Sequence, residues 1–441
     1  MKNNRYLSLT AATIAVTMIL AGCSDTTLGS KTVSSDGSSS SSVTYTFGSS
    51  ESTTDSEQTI TESVKLSEGS DNVASSDDSV LDTGDMFTDR DLEQTADTED
   101  AVSITAEDSK TAEITEAGVY VISGKASNFT VKVEAGDEDK VQIVLDGADI
   151  TNDSTPVIYV VSADKVFITT ASDSSLSVTG SFTADGDTNT DAVIYSKDDI
   201  VLNGTASLTI SSTVNGITGK DDIKVTGGTY SITSALDAIE ANDSIRIADG
   251  SFTIKSSKDG IHCENSDDST QGYIYISGGS FDITAASDGI QGTAVVQIDG
   301  GEYRISSAEG IESTCVQING GSINISATDD GINTAQKTNA YTVCFEMTGG
   351  ELSISMNGND VDCIDSNGNV SVSGGTINVS YPGSGPSESF DYDGTATFTG
   401  GTIIINSEQV SEIPTPTMMG GGRGGNMGDM GGFGGRGGRM M

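Results

Sequence analysis

Six short segments place an acid or amide directly before a small residue and an isoleucine. They are Asn215-Gly216-Ile217, Asp237-Ala238-Ile239, Asp259-Gly260-Ile261, Asp288-Gly289-Ile290, Glu309-Gly310-Ile311 and Asp330-Gly331-Ile332. The steps between leading residues are 22, 22, 29, 21 and 21, and a variant at Asp360 to Ile364 follows 30 residues later. Three residues after each leader comes a second polar line, with Glu240, His262, Gln291, Glu312, Asn333 and Asp365. A third line, Asp198, Asp221 and Asp243, sits two residues ahead of Ile200, Ile223 and Ile245. If the repeats stack, equivalent residues lie ~4.8 Å apart. Two carboxylates at that separation repel by ~3–4 kcal/mol at an effective dielectric of 20. A hard divalent cation with oxygen ligands at about 2.3–2.6 Å spans such a gap. Calcium is therefore the expected cofactor, with Asn215, Asp221, Asp237, Glu240, Asp243, Asp259, Asp288 and Asp330 as candidate ligands. The competing reading is a solvated acidic face with Asn and Ser ladders and no specific ion. His262 reads as a turn or ladder residue, not a catalyst.

The elements that would stack these acids are visible between them. Glycine pairs recur at 227-228, 278-279, 300-301, 320-321, 349-350, 374-375 and 400-401, with Asp249-Gly250 on the missing rung. Between the markers, segments such as Tyr230-Ser231-Ile232, Ile245-Arg246-Ile247, Phe252-Thr253-Ile254 and Ile323-Asn324-Ile325 alternate apolar and polar residues. That is the period of strands with one buried face. The two longer steps carry insertions, 265–272 and 335–339. Short strands repeating at this interval predict an all-β chain, a parallel β-helix (a solenoid) of about 21–22 residues per coil. A propeller blade would need ~40 residues per repeat. Residues 101–150 read as a capping and entry region, and two prolines in 381–390 interrupt the period before a last coil.

Composition narrows the function. The chain has 441 residues, with 21 Lys and Arg against 65 Asp and Glu, for a net charge of −44. Such a field disfavours nucleic acid as a partner. One His excludes multi-histidine metal sites and argues against a Ser-His-Asp hydrolase, while 53 Gly and only 5 Pro exclude collagen, coiled coils and helical bundles. Lys2 and Arg5, an apolar run and Leu20-Ala21-Gly22-Cys23 resemble a bacterial lipobox. The expectation is removal of 1–22, a lipid on Cys23, and a protein anchored to the extracellular face of the membrane. Residues 23–100, whose 18 acids and 3 bases sum to −15, read as a disordered linker. The β-helix takes 101–410, and 411–441 is a Gly/Met/Arg-rich disordered tail of net charge +1. Cys263, Cys315, Cys344 and Cys363 do not occupy the same repeat position, so mostly buried free thiols are expected, and their spacing is too wide for CxxC zinc sites.

The chain also resembles a family, the bacterial carbohydrate-binding β-helix proteins. These are typified by a clostridial surface protein that binds cellulose and acidic sugars, and they are related in structure to pectate lyases. The resemblance rests on Ala117 to Gly124, Val144 to Ile150, Lys220-Asp221-Asp222-Ile223 leading to Gly227-Gly228, the Asp-Gly-Ile turns, Asp365 to Asn369 and Asp391 to Gly394. It implies a right-handed coil and calcium at the Asp-Gly-Ile acids, with Ala238 and Glu309 as departures. The expected function is calcium-dependent binding of plant cell-wall polysaccharide by a monomer. With Trp absent, sugar stacking would fall to Tyr230, Tyr273, Tyr275, Tyr303 or Phe252, although most of these alternate with core positions. One alternative is a pectate-type lyase using Lys220 or Lys258, with Arg304 as a weaker base. The other is a structural adhesin with no saccharide ligand.

Overall fold

In the computed structural model, residues 79–358, 361–382 and 387–416 are described. The expected signal peptide, Cys23, the linker up to 78, Asp360 and the tail from 417 lie outside the described residues.

Each regular coil contributes three strands. Asn215–Gly219, Asp222–Val225 and Thr229–Ser234 pair in parallel with Ile239–Ala241, Ser244–Ile247 and Ser251–Ser256 of the next coil. Repetition of that pattern builds three faces of a parallel β-solenoid. Among the described residues the first face is a sheet of twelve strands, beginning at Thr111–Ile114 and ending at Asp391–Tyr392. The second and third faces merge because Lys140–Asn152 bends round their shared corner, pairing with both Lys165–Ser172 and Ser174–Val178. At the far end Glu408–Val410 folds back antiparallel on Thr402–Ile405.

The register stacks like on like. Ile217, Ile239, Ile261, Ile290, Ile311, Ile332 and Ile364 form one inward column, all buried. Each such side chain contributes about 1.5–3 kcal/mol by leaving water. On the third face Tyr230, Phe252, Phe281 and Tyr303 stack ring on ring, with centroids 5.2, 4.8 and 4.7 Å apart. The glycine pairs mark the corner before this face. Gly279 has φ +106°, and a Cβ there would stand 3.0 Å from the Gly250 carbonyl oxygen, so a side chain is excluded on two grounds.

Three expectations are corrected. Cys315 and Cys344 form a disulfide, with Cα atoms 4.7 Å apart, and are register partners on adjacent second-face strands. The insertion at 335–339 lengthens this step and hides the equivalence in the sequence. Cys263 and Cys363 are buried free thiols as expected. Residues 79–100 do not behave as linker throughout, since Leu81, Met86 and Asp91 are buried against the coils. The acid that continues the Asp330 rung is Asp362, because Gly331 N–H donates to its carbonyl and its own N–H donates to Asp330 Oδ1.

Candidate functional site

The leading residues of the first face do form a column, and at most rungs one side-chain oxygen is structural. Asn215 Oδ1 accepts the Asp237 backbone N–H at 3.1 Å, Asp237 Oδ1 that of Asp259 at 3.0 Å, and Asp259 Oδ1 that of Asp288 at 3.0 Å. Asp330 Oδ1 accepts from Asp362 at 3.1 Å, and Asp362 Oδ1 from Glu388 at 2.6 Å. The Asp-Gly-Ile motif thus has a local logic. The acid ties its coil to the next, the glycine clears a neighbouring carbonyl, and the isoleucine fills the core. At Gly260, for example, a Cβ would meet the Gly289 oxygen at 2.5 Å. Charge-assisted bonds to backbone N–H groups stabilise the carboxylates and leave the second oxygen of each for other work.

What that second oxygen meets differs along the column. At Asp237 and Asp259 it meets the chain's own cation. Lys258 Nζ lies 2.9 Å from Asp237 Oδ2 and 3.4 Å from Asp259 Oδ2, and His262 Nδ1 is 3.6 Å from both. Burial alone would raise the Asp237 carboxyl, but His262 and Lys258 outweigh it and hold the group down at about 2. Burial would lower Lys258, yet its two carboxylates keep the ammonium above its ordinary value.

One coil on, the ladder breaks. Glu309, the longer acid at this rung, sends its N–H to the Ser287 carbonyl at 3.3 Å and its carboxylate to Asn333 Nδ2 at 3.0 Å. Among the described residues Asp288 then receives no backbone donor. Its carboxyl is pushed up to about 7 by burial, then by Asp259, Glu309 and Glu312. Asp288, Glu309 and Glu312 bring carboxylate oxygens within 4.8 Å of one another, and Lys337 reaches Glu312 Oε2 at 2.8 Å. Asp330 is also raised to about 7, by burial and then by Asp365, Glu309 and Asp329 against its one backbone bond.

A second oxygen cluster lies where the first face turns into the second. Asp199, Asp221 and Asp222 offer oxygens within 4.8 Å of one another. Asp221 is raised to about 7 by burial, then by Asp199, Asp222 and Asp243. Arg246 holds Asp222 at 2.8 Å, and Lys165 lies 3.7 Å from Asp199. Asp198, expected on this line, instead accepts the Ala163 N–H at 3.1 Å.

The remaining candidates are engaged elsewhere. Asn215 Nδ2 donates to Glu240 Oε2 at 2.7 Å, and Lys220 Nζ approaches Glu240 Oε1 at 3.9 Å. Asp243 Oδ1 accepts from Asn265 Nδ2 at 2.6 Å. Of the aromatics offered for sugar stacking, Tyr230, Phe252 and Tyr303 are buried in the core, whereas Tyr275 lies outside that core and is covered by Leu81, Met86 and Phe87. Arg304 is exposed on the third face. Sequence reasoning left Asp199, Asp222, Glu309 and Glu312 out of the ligand set. A groove of about 500 Å³ at the glycine corner, lined by Gly228, Gly250, Asp249 and Glu302, shares no residue with the carboxylate clusters.

Comparison with known proteins gives the family. A family model described as carbohydrate-binding domain-containing protein matches residues 108–359 and 308–413. A protein of that description from Acetivibrio thermocellus is 35% identical over 142 residues, which is 31% of this chain and 49% of that protein. The chain therefore spans about half the length of this curated relative. The solved polysaccharide lyase-like protein from C. thermocellum, a gadolinium derivative, is 28% identical, covers 53% of this chain and 96% of its own, and superposes with a TM-score of 0.43. With the family model matched across more than half of its length, the chain belongs to the carbohydrate-binding domain-containing proteins.

Proposed function

We propose that this protein binds polysaccharide without cleaving it, in a calcium-dependent manner, from a lipid anchor on Cys23 at the extracellular face of the bacterial membrane. The observation that carries the reading is the gap in the acid ladder at Glu309, which leaves Asp288, Glu309 and Glu312 sharing one small volume, with the Lys337 ammonium on Glu312 set against three carboxyl groups. The donors there, and at Asp199, Asp221 and Asp222, are all oxygen, the set a hard cation prefers. Both clusters fit calcium. Asp237, Asp259 and His262 also bring ligand atoms together, but a cation there would have to displace the Lys258 ammonium that already bridges the two carboxylates. Bound calcium would supply positive charge at the surface of a chain of net −44, the charge an acidic glycan needs in order to approach. The Cys315–Cys344 disulfide supports an oxidising compartment and so an exported protein.

The lyase reading requires a neutral amine near a cation. Lys258 is a poor candidate, since two carboxylates hold its proton. Lys220, beside Glu240 and 6.0 Å above the Tyr195 ring, is the better remaining base. Retention of the full-length protein on pectate and on cellulose, with and without chelator, tests the proposal. Retention that chelator abolishes supports calcium-dependent binding. Retention on neither glycan would favour the structural adhesin, and growth of unsaturated-product absorbance on polygalacturonate, lost in Lys220→Ala, would make the protein a lyase.

A further inference from the structure

The outward column of the second face runs Phe167, Val201, Lys224, Arg246, Tyr275, Gln297 and Gln317. Residues 79–94 lie along it, crossing one coil after another. Val80 N–H donates to Gln317 Oε1 at 3.1 Å and Leu81 N–H to Gln297 Oε1 at 3.0 Å. Phe87 then packs on Tyr275 with centroids 6.3 Å apart, and the Arg90 guanidinium sits 4.5 Å over the Phe167 ring. Gln94 finishes the crossing on Thr226 O at 2.9 Å and the Gly204 N–H at 3.1 Å. None of residues 79–94 belongs to a strand. The segment is held mainly by side-chain contacts and not by a hydrogen-bonded ladder, so its release would leave the pairing of the sheet strands intact.

Its centre is chemically unusual for this chain. Asp91 is fully buried and lies between two ammonium groups, Lys224 Nζ at 3.2 Å from Oδ2 and Lys165 Nζ at 3.6 Å from Oδ1. Both lysines are themselves largely covered, and Oδ1 has no hydrogen-bond partner. A pair of buried cations in a molecule of net −44 is a built anion clamp, and the segment fills it with a carboxylate. The column beneath has a rung spacing of ~4.8 Å, close to the rise of one sugar unit in an extended glycan. The chemistry the strap covers, with amides, an aromatic ring and cations, is what a linear acidic saccharide would use.

We propose that residues 79–94 are a displaceable strap, and that the Lys165 and Lys224 clamp beneath Asp91 is a latent site for a carboxylate of an acidic saccharide. The inference rests on the reading of this protein as a binder of polysaccharide, and adds a site that adjoins the Asp199 cluster through Lys165, 3.7 Å from Asp199 Oδ2. While the strap is seated the clamp is closed, and apparent affinity is reduced by the fraction of molecules that have it open.

Full-length Asp91→Ala tests this, with a galacturonate oligomer and its methyl ester as probes in the presence of chelator. Hydrogen exchange of residues 79–94 reports the strap. The expected result is faster exchange there and binding of the free acid about tenfold tighter than wild type or better, with no gain for the ester. Adding Lys224→Ala to Asp91→Ala removes the gain and leaves no buried acid unpaired. Met86→Ala, which weakens the strap's apolar anchor and spares the clamp, gives a smaller gain in the same direction. A released strap without tighter binding, a gain shared by the ester, or a strap that stays protected in Asp91→Ala would each overturn the proposal. If wild type shows chelator-sensitive retention on pectate while these variants gain nothing, the strap inference alone fails.

Discussion

Replacing Asp288 by Asn tests the electrostatic argument on its own terms. The amide keeps the size and shape of the side chain and removes one charge from a buried group whose neighbours Asp259, Glu309 and Glu312 are all acids. The native carboxyl is raised from 3.8 to about 7, so the folded protein holds this proton more tightly than the unfolded chain. Its cost is therefore absent below about pH 4, grows as pH rises through the window between about 4 and 7, and is complete above it. A shift of that size corresponds to about 4 kcal/mol at most, at 1.36 kcal/mol per unit. In chelator at pH 8, Asp288→Asn should melt roughly 5–10 °C above wild type, and at pH 4 the two should coincide. With calcium the order should reverse in part. Wild type gains stability on binding, and the variant, one ligand poorer, gains less. Melting curves in the four combinations of pH and calcium decide it. An Asn variant no more stable than wild type at pH 8 in chelator would refute the claim that these carboxylates repel one another.

Other perturbations have equally definite outcomes. Replacing Cys315 and Cys344 together by Ser opens a link across a separation of 29 residues and should cost about 3–4 kcal/mol, seen as an earlier urea midpoint that reductant produces in wild type as well. Lys258→Ala leaves Asp237 and Asp259 without their ammonium. The loss should be about 1–2 kcal/mol at pH 7, discounted because the Lys258 side chain is 42% exposed. Because the native Asp237 carboxyl is held at about 2, that stabilisation is present above about pH 4 and disappears as pH falls toward 2, where mutant and wild type should converge in an acid titration. Phe281→Ala removes a ring stacked on both sides and should cost about 3–5 kcal/mol in denaturant melts, without altering glycan retention at permissive temperature.

The solenoid was legible because its period is carried by residues with no alternative reading. Glycines with positive φ, isoleucines at alternate positions and acids at a fixed offset all repeat together, and parallel stacking is the arrangement that buries each of them against its own kind. The acid columns were legible for the same reason. Their chemistry was less so, since a leading Asp serves the next coil's N–H with one oxygen, and sequence does not say which oxygen remains. Adjacent acids hid the second cluster. Asp198 and Asp199 differ by one residue in the turn between Ala192–Ser196 and Ile200–Gly204, and the first goes to a backbone amide while the second goes to Asp221 and Asp222. The disulfide was masked by an insertion that lengthened one coil. The strap was invisible to pattern analysis because Leu81, Met86 and Asp91 sit in a segment with the composition of the linker before it, and its bonds run to residues more than a hundred positions away.

Calcium binding by the metal-stripped, full-length protein is the most direct measurement of the central claim. Calorimetric titration should give saturable heat with a raised melting temperature. Asp288→Asn should weaken one part of that isotherm and Asp221→Asn another, while Lys258→Ala, which frees the Asp237 and Asp259 oxygens, should leave both parts in place. A stripped protein that takes up no calcium, or one whose binding is untouched by loss of Asp288 and Asp221, would contradict the account.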